Sequence, residues 1–357
     1  MLAQATVTVD LAKIAENTRR VVAALPGVEI VAVTKVTCGS PEVACAMLAG
    51  GATALGESRL ENAARLRAAG ISAPIWLVRT PVPALAEEAV RVSDVSVVSE
   101  LAVVDALNTA AARAGRRYGV VVMVDIGDLR EGMMPEELPA FLECAERYGR
   151  IDVIGIGASL TCYGAIIPDE RNLGQLAALH AAAEKQLGRK LILSGGSSTS
   201  LDPVIHGVAS SSINNLRIGE AIVLGVDPAT REQISDLELL TDAVTLSAPV
   251  IECKLKPSKP IGTSAQDAFG GSPAFEDLGP RRRALCAIGR QDAPPEGLTP
   301  LDPRVQVLGA SSDHLVLDVH ELPVCSMIGD VLEFRPGYSA VLALFTSEYV
   351  VKEYVNG

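Results

Sequence analysis

The sequence predicts a (β/α)8 TIM barrel followed by a C-terminal all-β domain. Three observations predict it. Eight short apolar runs alternate with helical segments between residues 28 and 225, no Gly-x-Gly-x-x-Gly interrupts them, and the texture changes after about residue 230. Near-continuous apolar strands joined by helices belong to a parallel sheet covered on both faces. Eight such units fit a closed barrel. An open doubly wound sheet is the alternative, and both the count and the missing glycine fingerprint argue against it.

The elements follow in order. DLAKIAENTRRVVAAL (10–25) carries apolar residues at helical spacing, with Asp10 placed as a cap. The strands are read as 28–36, 52–57, 73–79, 95–99, 119–126, 152–159, 190–195 and 216–225. Helices are read between them at 40–50, 58–70, 100–115, 135–149 and 172–188. Beyond residue 230, TLSAPVIECKLKP, RRRALCAIGR, RVQVLGAS, HLVLDV and DVLEFRP are short β-like runs, separated by PP, PEG and GGSP turns.

Bulk properties narrow the function. The 357 residues suffice for two domains and a large core, and the formal net charge of −12 disfavours nucleic acid and anionic membrane surfaces as partners. The opening MLAQATVTVD lacks a charged segment followed by an apolar core, so it does not read as a signal peptide. No apolar run is long enough to span a bilayer. The seven cysteines are scattered without a CxxC, which reads as reduced thiols in a cytoplasm. Four histidines without paired spacing give no metal site.

In barrels of this kind, active sites lie at the C-terminal ends of the strands. Lys35 ends the first run, Glu57, Ser58 and Arg59 follow the second, and Arg79 ends the third. The fifth leads into DIGDLREG with Arg130, and the sixth into SLTCYG. A strand-end lysine ordinarily snorkels to water, so Lys35 draws attention only through its company. The seventh strand runs into SGGSSTS (194–200), whose glycines and hydroxyls suit close approach to a phosphate. Gly219 and Glu220 in LRIGE offer further backbone amides. Arg217 is either a structural arginine paired with Glu57 or Asp125, or one that faces a ligand. A lysine on one side and a phosphate cradle on the other point to pyridoxal 5'-phosphate. Aldolase-type barrels share such a lysine but lack the β domain.

TVDLAKIAENTRRV, AVTKVTCG, VDIGDLREG, GGSSTS and LRIGEAIVLG resemble the fold type III pyridoxal-phosphate enzymes, broadly the alanine racemases. IGTSAQDAFG, the long string after AIGRQD and the ending GYSAVLALFTSEYV are similar to the branch that includes ornithine racemase. The resemblance implies an N-terminal strand, 1–9, packed with the C-terminal domain, a cofactor-binding barrel, 10–228, and a β domain, 229–357. It also implies a head-to-tail homodimer with shared active sites. Lys35 resembles the lysine that holds the cofactor, and Arg217 the arginine facing its ring nitrogen. Ser197, Ser198, Thr199, Gly219 and Glu220 match the phosphate contacts. Tyr338 resembles a C-terminal tyrosine near the phosphate. Arg130 and Ser312 match groups that approach the substrate carboxylate.

The chain also departs from that pattern. Gly39 replaces a tyrosine, Met123 a lysine and Ser159 a histidine. The tyrosine that serves the family as second base is replaced by Arg290 in IGRQD. Arginine stays protonated and is a poor base. Asp292, Asp267, Tyr338 and Cys162 remain open for that role, and each also reads as an ordinary loop, cap or core residue. Gly39 removes bulk beside the cofactor, and Asp267, Asp292 or Glu131 could receive a terminal ammonium. The expected activity is therefore racemisation of ornithine or another cationic amino acid, with Lys35, Arg130, Arg290 and Asp292 assigned to catalysis. Two other readings stand beside it. One is a non-catalytic pyridoxal-phosphate homeostasis protein, which the residues after the barrel oppose. The other is a type III basic amino-acid decarboxylase, for which Cys325 followed by SMIGD is a poor match.

Overall fold

The structure, a computed structural model, describes residues 4–207, 212–323 and 327–357. It divides into two compact units. One comprises 11–241 together with the terminal Gly357, and the other comprises 1–10 and 242–356.

The larger unit is a closed parallel barrel of eight strands. After strand β1 (Thr6–Asp10) of the other unit, the barrel strands are β2 (Glu29–Val33), β3 (Ala54–Glu57), β4 (Ile75–Leu77), β5 (Val95–Val98), β6 (Tyr118–Met123), β7 (Ile151–Gly157), β8 (Ile192–Ser194) and β9 (Asn215–Ile218). Each pairs in parallel with its successor, and β2 closes the ring on β9 with Val31 opposite Arg217. Val31, Ala54, Trp76, Val95, Val97, Val121 and Met123 form one buried cluster, so the interior is a packed core with no room for a pore. Helices cover the outside. Glu170–Leu187 starts at Asp169, which accepts the Asn172 N–H at 2.8 Å, and ends on left-handed Gly188.

Several strands are shorter than the sequence reading, and two of those ends shape the barrel mouth. The first apolar run stops at Val33 rather than at 36. Thr34 turns the chain, and the N–H groups of Thr37 and Gly39 return to the Thr34 carbonyl at 3.1 and 3.2 Å. Lys35 therefore opens a 3-10 turn at the barrel mouth. The last run, read as strand through 225, ends at Ile218, and Glu220–Leu224 is a short helix. A fully buried apolar run carries no periodicity that separates strand from helix.

In the smaller unit, strands β10 (Val244–Pro257), β11 (Pro280–Cys286), β12 (Leu298–Pro300), β13 (Gln306–Ala310), β14 (Leu315–Asp318) and β15 (Val331–Pro336) lie in the order β12-β15-β10-β11-β14-β13. Their pairings are antiparallel. The N-terminal strand β1 joins this unit, antiparallel to β10 and parallel to β16 (Val351–Val355).

Candidate active site

Lys35 is half-buried at the end of β2, and among the described residues its amine has no hydrogen-bond or ion-pair partner. Two carboxylates, Glu57 and Glu220, feel its charge. Glu57 ends β3 with no exposed surface. Burial pushes its carboxyl above the ordinary value of 4.5, while donors from Thr34, Asn62 and Ser58 pull it back. Thr34 Oγ1 donates at 2.5 Å, Asn62 Nδ2 at 3.0 Å and Ser58 N at 3.2 Å. Glu57 thus fixes the residue immediately before Lys35. Gly39 has φ +63°, and a Cβ there would lie 2.8 Å from that of Asn62. The space expected to open at Gly39 is therefore occupied by Asn62, which corrects the view that this glycine simply adds room.

The cradle lies across the ring. Ser198 Oγ accepts the N–H groups of Gly219 and Ala221 at 3.3 and 3.2 Å, so amides at the start of Glu220–Leu224 converge on an oxygen. Ser197 Oγ approaches Thr199 Oγ1 at 3.4 Å, and Thr199 Oγ1 also accepts from Thr161 at 3.3 Å. A Cβ on Gly219 would stand 2.8 Å from the Val33 carbonyl, so the close approach of β9 to β2 requires glycine. The Glu220 carboxylate is raised by burial and paired with Arg231, which offsets its negative charge beside the cradle.

Arg217 is 5% exposed. Its guanidinium donates to Ser194 Oγ, to the Ala158 carbonyl at 2.7 Å and to Ser159 Oγ at 3.0 Å. Pairing with Glu57 or Asp125 does not occur. Glu57 is engaged as above, and Asp125 accepts the N–H groups of Gly127 and Leu129 at 2.8 and 3.2 Å. With only neutral acceptors, burial pulls the Arg217 guanidinium down to about 10. A desolvated cation without a counterion suits an uncharged acceptor atom of a ligand.

Arg130 stands on the loop after β6 and pairs with Glu131. Burial opposes its charge, but its pairing with Glu131, with a lesser contribution from Cys162, outweighs burial and holds it above the usual range. The sequence reading did not anticipate Asp128, which is 2% exposed. Its carboxylate accepts the N–H groups of Tyr163 and Gly164 at 3.2 and 2.9 Å, tying the loop after β6 to the loop after β7. Only its place in a GD turn signalled such a role.

The other expected residues lie in the β unit. Arg290 pairs with Glu296 at 2.6 Å and stacks on Phe269 with 5.1 Å to the ring centre. Asp292 is buried and accepts from Ser347 Oγ at 2.6 Å. Asp267 accepts the Phe269 and Gly271 amides, Ser312 donates to Asp313 at 2.6 Å, and Tyr338 opens the helix Tyr338–Thr346. Met123 lies in the barrel core, and Cys325 falls outside the described residues. Among the described residues, no group of three or more His, Cys, Asp or Glu side chains could hold a metal. No described helix is long and apolar enough to cross a membrane.

A closed parallel barrel with a lysine unpaired among the described residues, an amide cradle and a desolvated arginine at its strand ends defines a (β/α)8-barrel enzyme. The chain belongs to the alanine racemase family, whose N-terminal domain matches residues 9–227. It is 41% identical to the lysine racemase of Thermotoga maritima over 97% of both chains. It is 36% identical to the ornithine racemase of Acetoanaerobium sticklandii over 97% of this chain and 98% of that one. In fold it resembles the alanine racemase of the D-cycloserine producer Streptomyces lavendulae, with TM-score 0.78, 22% identity and coverage of 100% and 98%. It also resembles that of Bartonella henselae, solved with covalently bound pyridoxal phosphate, with TM-score 0.74, 18% identity and coverage of 99% and 100%.

Proposed function

We propose that the protein is a pyridoxal-phosphate-dependent racemase of cationic amino acids, lysine and ornithine first among them. The observation that carries the reading is Lys35, a half-buried amine with no ion-pair partner among the described residues, on the same strand ends as the cradle and Arg217. The full-length relatives named lysine racemase and ornithine racemase support the substrate class.

The residues present fit the cofactor. Lys35 would hold its aldehyde carbon, and Ser197, Ser198, Thr199, Gly219 and Glu220 its phosphate. The Ser198 hydroxyl already places an oxygen against the Gly219 and Ala221 amides. Arg217 would face the ring nitrogen as a donor. When bound, the cofactor supplies an electron sink that acidifies the substrate α-proton. The Lys35 amine takes or returns that proton on one face of the α-carbon. Thr34, held by Glu57, fixes the backbone from which Lys35 reaches. Arg130 orients the substrate carboxylate, a task for which its planar fork of donors is suited. Arg217, a charged donor, disfavours protonation of the ring nitrogen. This limits the lifetime of negative charge on the substrate and so suppresses side reactions.

The protein works as a head-to-tail homodimer in the cytoplasm, with Ser312 and Tyr338 completing a partner's site. It takes neither nucleic acid nor membrane as partner, consistent with its net charge of −12. Incubation with L-lysine, L-ornithine, L-alanine and L-serine in deuterated water, followed by chiral chromatography, tests the reading. D-lysine and D-ornithine labelled at the α-carbon are expected, in excess over D-alanine. Carbon dioxide release instead would mean a decarboxylase, and no reaction a carrier.

A further inference from the structure

Strands β8 and β9 place polar side chains in the barrel interior, where branched apolar ones are the rule. Asn215 lies opposite Ser194, Ser194 opposite Gly157, and Gly157 opposite Met123 of the core cluster. Register neighbours in a parallel sheet share a face, so this layer points inward. Arg217 stands two residues beyond Asn215 on the same strand, and therefore on the same face. A Cβ on Gly157 would lie 2.9 Å from that of Ser194 and 3.5 Å from Arg217 Nη1, so the bare backbone makes room for both.

Neither Asn215 nor Ser194 has any exposed surface. Ser194 Oγ donates to Asn215 Oδ1 at 2.7 Å and accepts from Arg217 Nη1. Having given its one proton to the asparagine, the serine offers the guanidinium lone pairs alone. Main-chain bonds tie the same strand to the cradle. The Gly195 N–H donates to the Asn215 carbonyl, and the Arg217 N–H to the Gly196 carbonyl, both at 3.0 Å. The other half of the Asn215 amide is unserved. Among the described residues, its Nδ2 is buried without a hydrogen-bond partner. Burying a donor without an acceptor costs about 1–3 kcal/mol, and a leucine would fill the place without that cost. Stability therefore does not account for an asparagine here. Its engaged oxygen leads through Ser194 to Arg217.

We propose that Asn215 is a positioning residue for Arg217, acting through the Ser194 hydroxyl to aim the guanidinium at the ring nitrogen of the cofactor. The proposal rests on the racemase reading above. Asn215 moves no proton and touches no substrate. It fixes the orientation of a neutral acceptor, so Arg217 is held in place without a counterion that would compete with the ring.

Two measurements on the holoenzyme test this. The first is nitrogen NMR of the protein loaded with pyridoxal phosphate isotope-labelled at the ring nitrogen, whose resonance reports the donor facing it. Asn215→Leu and Ser194→Ala are expected to move that resonance by the same amount. Asn215→Asp, which keeps the acceptor oxygen, should leave it near the wild-type position. The second is the rate of ornithine racemisation. Asn215→Leu and Ser194→Ala should each lower kcat by about 10-fold or more with KM little changed, because a misaimed group acts on the reacting system and not on substrate binding. The double variant should lose no more than either single one, since both changes break the same connection. A wild-type resonance in Asn215→Leu, a displacement as large in Asn215→Asp, or losses that multiply in the double variant would overturn the proposal and leave the racemase reading intact. Should Asn215→Leu fail to fold, Ser194→Ala decides alone, and an unmoved resonance overturns the proposal. A wild-type protein that racemises neither ornithine nor lysine would overturn the racemase reading and the proposal with it.

Discussion

Buried charge is met differently at Asp318 in the β unit and at Arg217 and Glu57 in the barrel. In the β unit, Asp318 is 5% exposed, and it is met by Arg281, whose Nε lies 2.5 Å away, and by the His320 N–H at 3.0 Å. In the barrel, Arg217 is equally buried but has only neutral oxygens, and Glu57 is fully buried with only neutral donors. Among the described residues, neither has an ion-pair partner. Desolvating a charge without a counterion is costly, and a scaffold has no reason to do it. The difference separates an ion pair that stabilises the sheet from an arginine at the strand ends whose charge is left available to a ligand.

Three substitutions probe that contrast. The largest effect is expected at Arg217→Met. Removing an arginine aimed at the reacting system should lower the rate of racemisation by about 10²- to 10³-fold. Stability should change little, because a desolvated charge is exchanged for an apolar chain of similar reach. Chiral chromatography and urea denaturation check the two halves, and a large loss of stability would make Arg217 an ordinary structural residue. Asp318→Ala should cost about 1.5–3 kcal/mol in urea denaturation, since it removes the charge-assisted hydrogen bonds from Arg281 and the His320 N–H. A negligible cost would erase that distinction. Glu57→Gln should show the smallest effect, seen in the pH dependence of stability. The folded-state carboxyl is raised above its unfolded value of 4.5, so the folded chain binds that proton more tightly. Its contribution to stability is complete below pH 4.5 and is lost as pH rises through the raised value. Denaturant midpoints across that window should fall with pH less steeply in Glu57→Gln than in the parent; identical slopes would show that Glu57 is not desolvated.

Much of the fold was legible because the barrel strands are buried on both faces and read as apolar runs with turn residues between them. Their ends were less legible. A buried run does not show where strand gives way to helix, so 220–224 was misread, and the turn at Thr34 depends on carbonyl bonds that leave no mark in the sequence. Lys35, the cradle and Arg217 stood out as polar residues at strand ends. The surroundings of Arg217 did not, because a buried arginine ordinarily takes a carboxylate, and the nearest-looking ones are consumed by Thr34, Asn62 and backbone amides. Asp128 was passed over because its partners, the amides of Tyr163 and Gly164, lie more than thirty residues away.

The central claim is that Lys35 holds the cofactor. Borohydride reduction of the purified, pyridoxal-phosphate-loaded protein, then digestion and mass spectrometry, reads it directly. A single pyridoxyl-modified peptide containing Lys35 is expected, with no modification at that position in Lys35→Ala. A label on another lysine, or none at all, would contradict the account.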